Sequence, residues 1–200
     1  ALATDDFISL GKADVFKLNS VFMADDFSTA ATVNDTDVTD RFELDTGMRD
    51  TFYDIGRLTL KSGKVNPTGR LLINFDYFEH GAGNFFSVDS YSGFDYKNIP
   101  SYTSDVTGEK FELRDVLDFR PRVDNASTIN AGDGQDRQYT GTGASTIELP
   151  KFNSDITADL EFYLARKSKI FLTANGQFDK VDGEPSTNPQ EPDMMQGAMH

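Results

Sequence analysis

Two histidines, His80 and His200, are the only imidazoles in the chain, and there is no cysteine. A thiolate nucleophile, a thiolate metal site and a disulfide framework are therefore excluded. A Ser-His-acid triad would have to run through His80, beside Glu79, and no G-x-S-x-G elbow accompanies it. His80 reads instead as a loop residue at the end of a strand. Asp45-Thr46-Gly47 has the triplet of aspartic proteases, whose chemistry needs two aspartates sharing one proton on tight turns. Here charged Arg49 and Asp50 follow at once and no second copy exists, so the triplet reads as a turn. With 33 acidic residues some carboxylate pair always lies at a glycosidase-like separation, which makes such pairs uninformative.

Oxygen ligands recur in Asn34–Asp40 and again in Asn130–Asp136, but neither loop has the glycine and twelfth-position glutamate of a calcium-binding EF-hand. Gly81-Ala82-Gly83-Asn84 follows a strand without forming a dinucleotide fingerprint. Asn34-Asp35-Thr36 and Asn125-Ala126-Ser127 match glycosylation acceptors, as so polar a chain readily does by chance. The residues thus predict no catalytic group, no cofactor and no metal, and a protein that is not an enzyme.

The elements that hold these residues are set by composition. Two hundred residues with 17 Phe, 7 Tyr and no Trp can bury a core without staples. Each fully buried Phe contributes roughly 1.5–3 kcal/mol, while the mean hydropathy of −0.47 demands broad polar loops. The net charge of −14 repels phosphate backbones and no basic stripe reverses it, so nucleic acid is not an expected partner. No apolar run approaches the roughly 20 residues that span a bilayer, and Ala1–Asp6 has no signal-peptide pattern. Both ends read as a piece of a longer chain.

Period-2 alternation dominates. In Arg70–Phe78, Leu71, Ile73, Phe75 and Tyr77 share one face. Ile55–Lys61 carries Leu58 and Leu60 in the same register, and the turn formers between the two segments predict a long-looped hairpin. Asp159–Ala165, Ile170–Ala174 and Gln177–Val181 predict a meander, the last two joined at Asn175-Gly176. A strict two-residue loop there sets Leu172 opposite Asp179, which leaves a bulge open. Lys110–Phe119 has apolar residues at roughly helical spacing, with Pro121 to stop a short helix; an extended reading is nearly as good. Asn125–Ser145 predicts an exposed loop and Gly183–Asp193, with three prolines, an extended linker.

The expected fold is therefore mostly β: an antiparallel sandwich or irregular barrel-like sheet with long loops and at most short helices. Residues 1–183 form the domain, with possible lobes at about 1–124 and 146–183 around a flexible 125–145, and residues 184–200 lead onward as a Pro-rich linker. Tyr91, Phe94, Tyr96 and Tyr102, set among turn residues, are candidate interface anchors; the alternative, that they fill their own core, stays open.

Five segments carry a resemblance: Arg41–Asp54 (RFELDTGMRDTFYD), Pro67–His80 (PTGRLLINFDYFEH), Phe85–Tyr91 (FFSVDSY), Leu113–Val123 (LRDVLDFRPRV) and Leu160–Leu172 (LEFYLARKSKIFL). Together they cover about half the chain. They resemble a family of long virion structural proteins in contractile-tailed bacteriophages, notably marine ones. The resemblance implies a baseplate, tail-fibre or collar component located in the virion, with other virion proteins as partners and a homo-oligomeric arrangement following the particle's symmetry. It transfers no catalytic residue. Two rival functions are a glycan-binding adhesin module and a polysaccharide-degrading tail enzyme.

Overall fold

The computed structural model describes residues 7–81, 83–127, 137–139, 147, 149–155, 157, 159, 163–194 and 196–197. The chain divides into two compact units, residues 1–151 and 152–200.

The first unit is made of short antiparallel strands. β1 (Ile8–Ala13), β4 (Phe42–Asp45) and β5 (Ile55–Leu60) form one sheet in the order β1-β5-β4. β2 (Val15–Met23), β3 (Thr36–Asp37) and β6 (Leu71–Tyr77) form a second, ordered β3-β2-β6. Alternation explains why these segments pair: β1 turns Ile8 and Leu10 inward and Ser9 and Gly11 outward, and β6 does the same with Leu71 and Ile73 against Leu72 and Asn74. The inward residues of both sheets meet in one core around Val21, Val38, Phe42 and Leu58. Among the described residues there is no α-helix and no closed barrel; only 3₁₀ turns break the extended chain.

The long-looped hairpin is corrected. Ile55–Leu60 and Leu71–Tyr77 lie in different sheets, β5 pairing with β1 and β4, and β6 with β2. Alternation gives the face a strand buries but not its partner. The partner is chosen at the end of the connecting loop. There the Ala24 N–H donates to the Arg70 carbonyl, and the Arg70 N–H donates to the Asp26 carbonyl, both at 3.0 Å. These bonds seat β6 beside the far end of β2.

A second core gathers Met48, Tyr53, Phe86, Tyr91, Ile99, Tyr102 and Leu113, and a third Ala13, Ile55 and Val123. The helix expected over Lys110–Phe119 does not form. β8 (Lys110–Glu112) pairs with β7 (Ser101–Thr103), setting Phe111 opposite Tyr102, and a single 3₁₀ turn follows at Leu113–Asp115. Downstream, Phe86 and Asp118 exchange backbone hydrogen bonds at 2.7 and 2.8 Å, which takes Asp118 out of any helical ladder.

The loop expected over Asn125–Ser145 is pinned wherever it is described. Asn125 Oδ1 accepts from the Ala13 N–H and from Arg122, and the Gln138 N–H donates to Ser127 Oγ at 2.9 Å. Residues 128–136 and 140–146 lie outside the described residues, and with them the Asn130–Asp136 ligand loop.

In the second unit, β9 (Ser168–Leu172) and β10 (Phe178–Asp182) form the expected hairpin. Its register sets Leu172 opposite Phe178, not Asp179. The Gly176 N–H donates to the Thr173 carbonyl at 2.9 Å, and Gly176 has φ +76°. This is a three-residue loop closed by a left-handed residue, a conformation glycine takes without cost. For the preceding strand expected over Asp159–Ala165, Leu160, Glu161 and Phe162 lie outside the described residues, and 163–165 form no ladder. The 184–194 segment does not lead away as a linker. The Ser186 N–H bonds the Ala165 carbonyl at 2.9 Å, and Lys169 reaches Glu191 at 3.4 Å, so the prolines lie along the hairpin. No described helix is long and apolar enough to cross a membrane.

Candidate functional site

Three ionic ties hold the irregular parts of the first unit. The first begins at Asp14, the one residue separating β1 from β2, and hence one sheet from the other. It sits at φ +58°, a left-handed conformation that aspartate tolerates better than most residues. Its carbonyl accepts the Phe78 N–H at 3.0 Å, and its fully buried carboxylate meets His80 Nε2 at 2.5 Å. The other ring nitrogen, Nδ1, lies 3.1 Å from the Ser90 carbonyl. A carbonyl only accepts, so the hydrogen bond to Ser90 is donated by Nδ1. Phe78, Phe86 and Tyr91 surround the imidazole at centroid distances of 5.9, 4.3 and 5.3 Å. His80 lies in the loop that follows β6, as expected, but its side chain is enclosed there and binds the Asp14 crossover to the 87–91 turn.

The second tie is Asp54, also fully buried, which receives Arg57 at 2.9 Å and Arg137 at 3.0 Å. The third is Asp118 with Arg120. The Arg120 guanidinium bonds Asp118 at 2.7 Å, the Tyr53 hydroxyl at 3.0 Å and the Arg49 carbonyl at 2.9 Å. It lies between two rings, 4.5 Å from the Tyr53 centroid and 4.4 Å from that of Tyr102. Burial, the largest single influence, would lower its affinity for its proton, but Asp118 together with Tyr53 and Tyr102 raises it. Burial, with Asp118 second, drives the Tyr53 hydroxyl well above its ordinary value.

The Asp45-Thr46-Gly47 turn is part of the same scaffolding. Burial alone would raise the Asp45 carboxyl; the Arg49 guanidinium at 2.6 Å and the Gly47 N–H at 2.9 Å hold it below its usual range instead. In Asn34–Asp40, Asp35 accepts from Thr32, Asp37 from Thr39, and Asp40 from Lys64. No group of three or more potential metal-binding His, Cys, Asp or Glu side chains occurs among the described residues.

The four candidate interface aromatics separate. Tyr91 and Tyr102 are buried at 3 % and 8 % exposure, so neither can anchor a partner without unfolding its surroundings. Phe94 and Tyr96 reach the surface at 37 % and 38 %. Phe94 stands edge-on to Phe16 and Phe78, and Tyr96 lies under Arg114 with its hydroxyl on Asp115. The Tyr102 hydroxyl donates to Asp50 and is pushed up to about 12 by burial and by that carboxylate.

Tyr102 and Arg120 border a largely apolar surface groove, a cleft of about 470 Å³ lined by Phe111, Leu113, Val116, Leu117 and Phe119 together with Asp50 and Glu109. Sequence reasoning missed this site. Its signal was the apolar spacing in Lys110–Phe119, which a helix would have buried along one stripe. The bent chain buries Leu113 and leaves Phe111 and Leu117 outward at 38 % and 37 % exposure. A second groove of about 420 Å³ is lined by rings of Phe16, Tyr77, Phe78 and Phe94 beside Asp76 and Glu79. No family model, curated protein or solved structure matches the sequence.

Proposed function

We propose that the chain is a structural module of a bacteriophage virion, associated with the tail, baseplate or tail fibre, and acts by assembling with other virion proteins. The assignment to a virion rests on the segment resemblance. The assembly role is supported by one structural observation: the side chains best suited to chemistry are tied to one another. His80 is enclosed with Asp14, Asp54 with two arginines, and Asp118 with Arg120. What these ties achieve is rigid placement of loops that lack long strand ladders, leaving Phe94, Tyr96, Phe111 and Leu117 displayed at the surface. Displayed apolar side chains on a fixed frame are the means by which subunits recognise one another.

Mass spectrometry of purified virions, with labelled antibody to locate the epitope, tests the proposal. The chain should be found in stoichiometric amounts at the tail. Its absence from intact particles would sink the reading. The aromatic groove beside Phe94 supports a second reading, a glycan-binding module, since sugar faces stack on rings while carboxylates accept their hydroxyls. Saturable binding on a glycan array, lost in Phe94→Ala, would favour it over assembly.

A further inference from the structure

The groove beside Tyr102 combines an apolar lining with two carboxylates, Asp50 and Glu109, that make no ion pair among the described residues. Arg120 is the one basic residue lining it, and its guanidinium is already bonded to Asp118 through Nε and Nη2. Asp50 accepts from the Tyr102 and Ser104 hydroxyls, and neither Asp50 nor Glu109 makes an ion pair among the described residues. Hydrogen bonds from neutral hydroxyls orient a carboxylate without cancelling its charge. An arginine does lie over this groove's own ring, Arg120 over Tyr102, but its guanidinium is engaged by Asp118 and makes no ion pair with Asp50. Here the apolar side chains of Phe111 and Leu117 lie open next to unpaired acids.

We propose that this groove docks a segment of a partner protein in which an apolar side chain is followed by an arginine, the apolar group entering between Phe111, Val116 and Leu117 and the guanidinium reaching Asp50 and Glu109. Charge complementarity selects this occupant. A second copy of a chain carrying a net charge of −14 brings an acidic surface to an acidic rim. The inference goes beyond the assembly reading by naming the partner's chemistry, and rests on that reading only for where the partner is found.

Three dipeptides capped with acetyl and carboxamide groups test it on the full chain: Phe-Arg, Phe-Gln and Phe-Glu, followed by methyl NMR of Leu113, Val116 and Leu117. Phe-Arg should saturate with a dissociation constant on the order of a millimolar. Phe-Gln should bind roughly fivefold more weakly, as an exposed ion pair allows, and Phe-Glu more weakly again. Raising the salt to 1 M should erase the ranking. The Asp50→Asn, Glu109→Gln double variant should bind Phe-Arg and Phe-Gln alike. Should that variant not fold, the ranking on the unaltered chain and its loss in salt still decide. Equal binding of all three dipeptides, no saturation, or sedimentation showing a dimer that Leu117→Asp dissolves would each overturn the proposal. If the ranking holds while the chain is absent from virions, the groove stands and the phage reading falls.

Discussion

The Asp14–His80 tie makes a prediction in which one substitution changes sign with its background. His80→Phe strips one partner from a buried hydrogen-bonded pair whose side chains are 2 % and 0 % exposed. The new ring would sit among Phe78, Phe86 and Tyr91, so the lost apolar contact is small. The cost comes from Asp14, whose carboxylate is left buried with no hydrogen-bond partner, since its other oxygen, Oδ1, has none already and Arg122 acts on it only through its field. Stripping a buried pair in this way costs about 3–5 kcal/mol. For a unit of this size each kcal/mol lowers the melting temperature by about 2–4 °C, giving a fall of roughly 6–20 °C. Asp14→Gly alone leaves His80 Nε2 unpaired, at about 1–3 kcal/mol, partly offset because glycine suits φ +58°. Placed on His80→Phe, the same Asp14→Gly removes the stranded carboxylate and should restore most of the loss. The Ser90 carbonyl still lacks its donor there, so the double variant should remain about 1–2 kcal/mol below the parent. Near-ultraviolet circular dichroism during heating reports this unit, which holds six of the seven tyrosines. Additive losses, with the double variant melting below His80→Phe, would refute the buried-pair reasoning.

Two further perturbations probe the same frame. Gly47 has φ +83°, and a Cβ there would stand 2.2 Å from the Asp54 carbonyl oxygen, whereas Gly176 has φ +76° with open space around it. Gly47→Ala should therefore cost more than about 3 kcal/mol, and Gly176→Ala about 1 kcal/mol, measured as shifts in urea midpoint; equal shifts would show that the close approach is unimportant. Burial raises the hydroxyls of Tyr53, Tyr91 and Tyr102, with Asp118, Asp14 and Asp50 respectively adding to it, Tyr102 to about 12. Groups whose folded values lie above the unfolded one stabilise the fold fully below about pH 10 and lose that contribution as pH climbs toward 12. A tyrosinate absorbance titration should show these three ionising only with cooperative alkaline unfolding. Ordinary midpoints for all seven tyrosines in a folded chain would contradict it.

Much of the first unit was legible because alternation is a local signal. Leu71, Ile73 and Phe75 announce a face there, and in the second unit Asn175-Gly176 announces a reversal. Pairing was not legible. Ile55–Leu60 pairs with Ile8–Ala13 and Phe42–Asp45, and Leu71–Tyr77 with Val15–Met23, choices among alternating strands that no side-chain pattern encodes. The same limit governed the site. Asp45 with Arg49, Asp54 with Arg57 and Asp118 with Arg120 lie within four residues of each other and could be paired by eye. Asp54 with Arg137 and Asp14 with His80 span 83 and 66 residues, and no local pattern reveals them. Tyr91 and Tyr102 look like surface aromatics because turn formers flank them. Their burial comes from the core they share with Met48, Tyr53, Phe86, Ile99 and Leu113, residues from separate segments.

The ties also explain why a frame of such short strands needs charge in its interior. A ladder such as that of β7 and β8, three residues on each side, fixes little by itself. Burying an aspartate and an arginine together gains little net stability, because desolvation consumes most of the attraction. It does penalise every arrangement in which the partners are apart. At Asp54 and Asp118, and likewise at the Asp14–His80 hydrogen bond, that penalty falls on points where the chain crosses between sheets or closes a loop, so misplaced crossovers strand a buried polar group. Apolar burial then supplies the stability, while the ionic ties select one arrangement from the many that the same alternating strands could adopt.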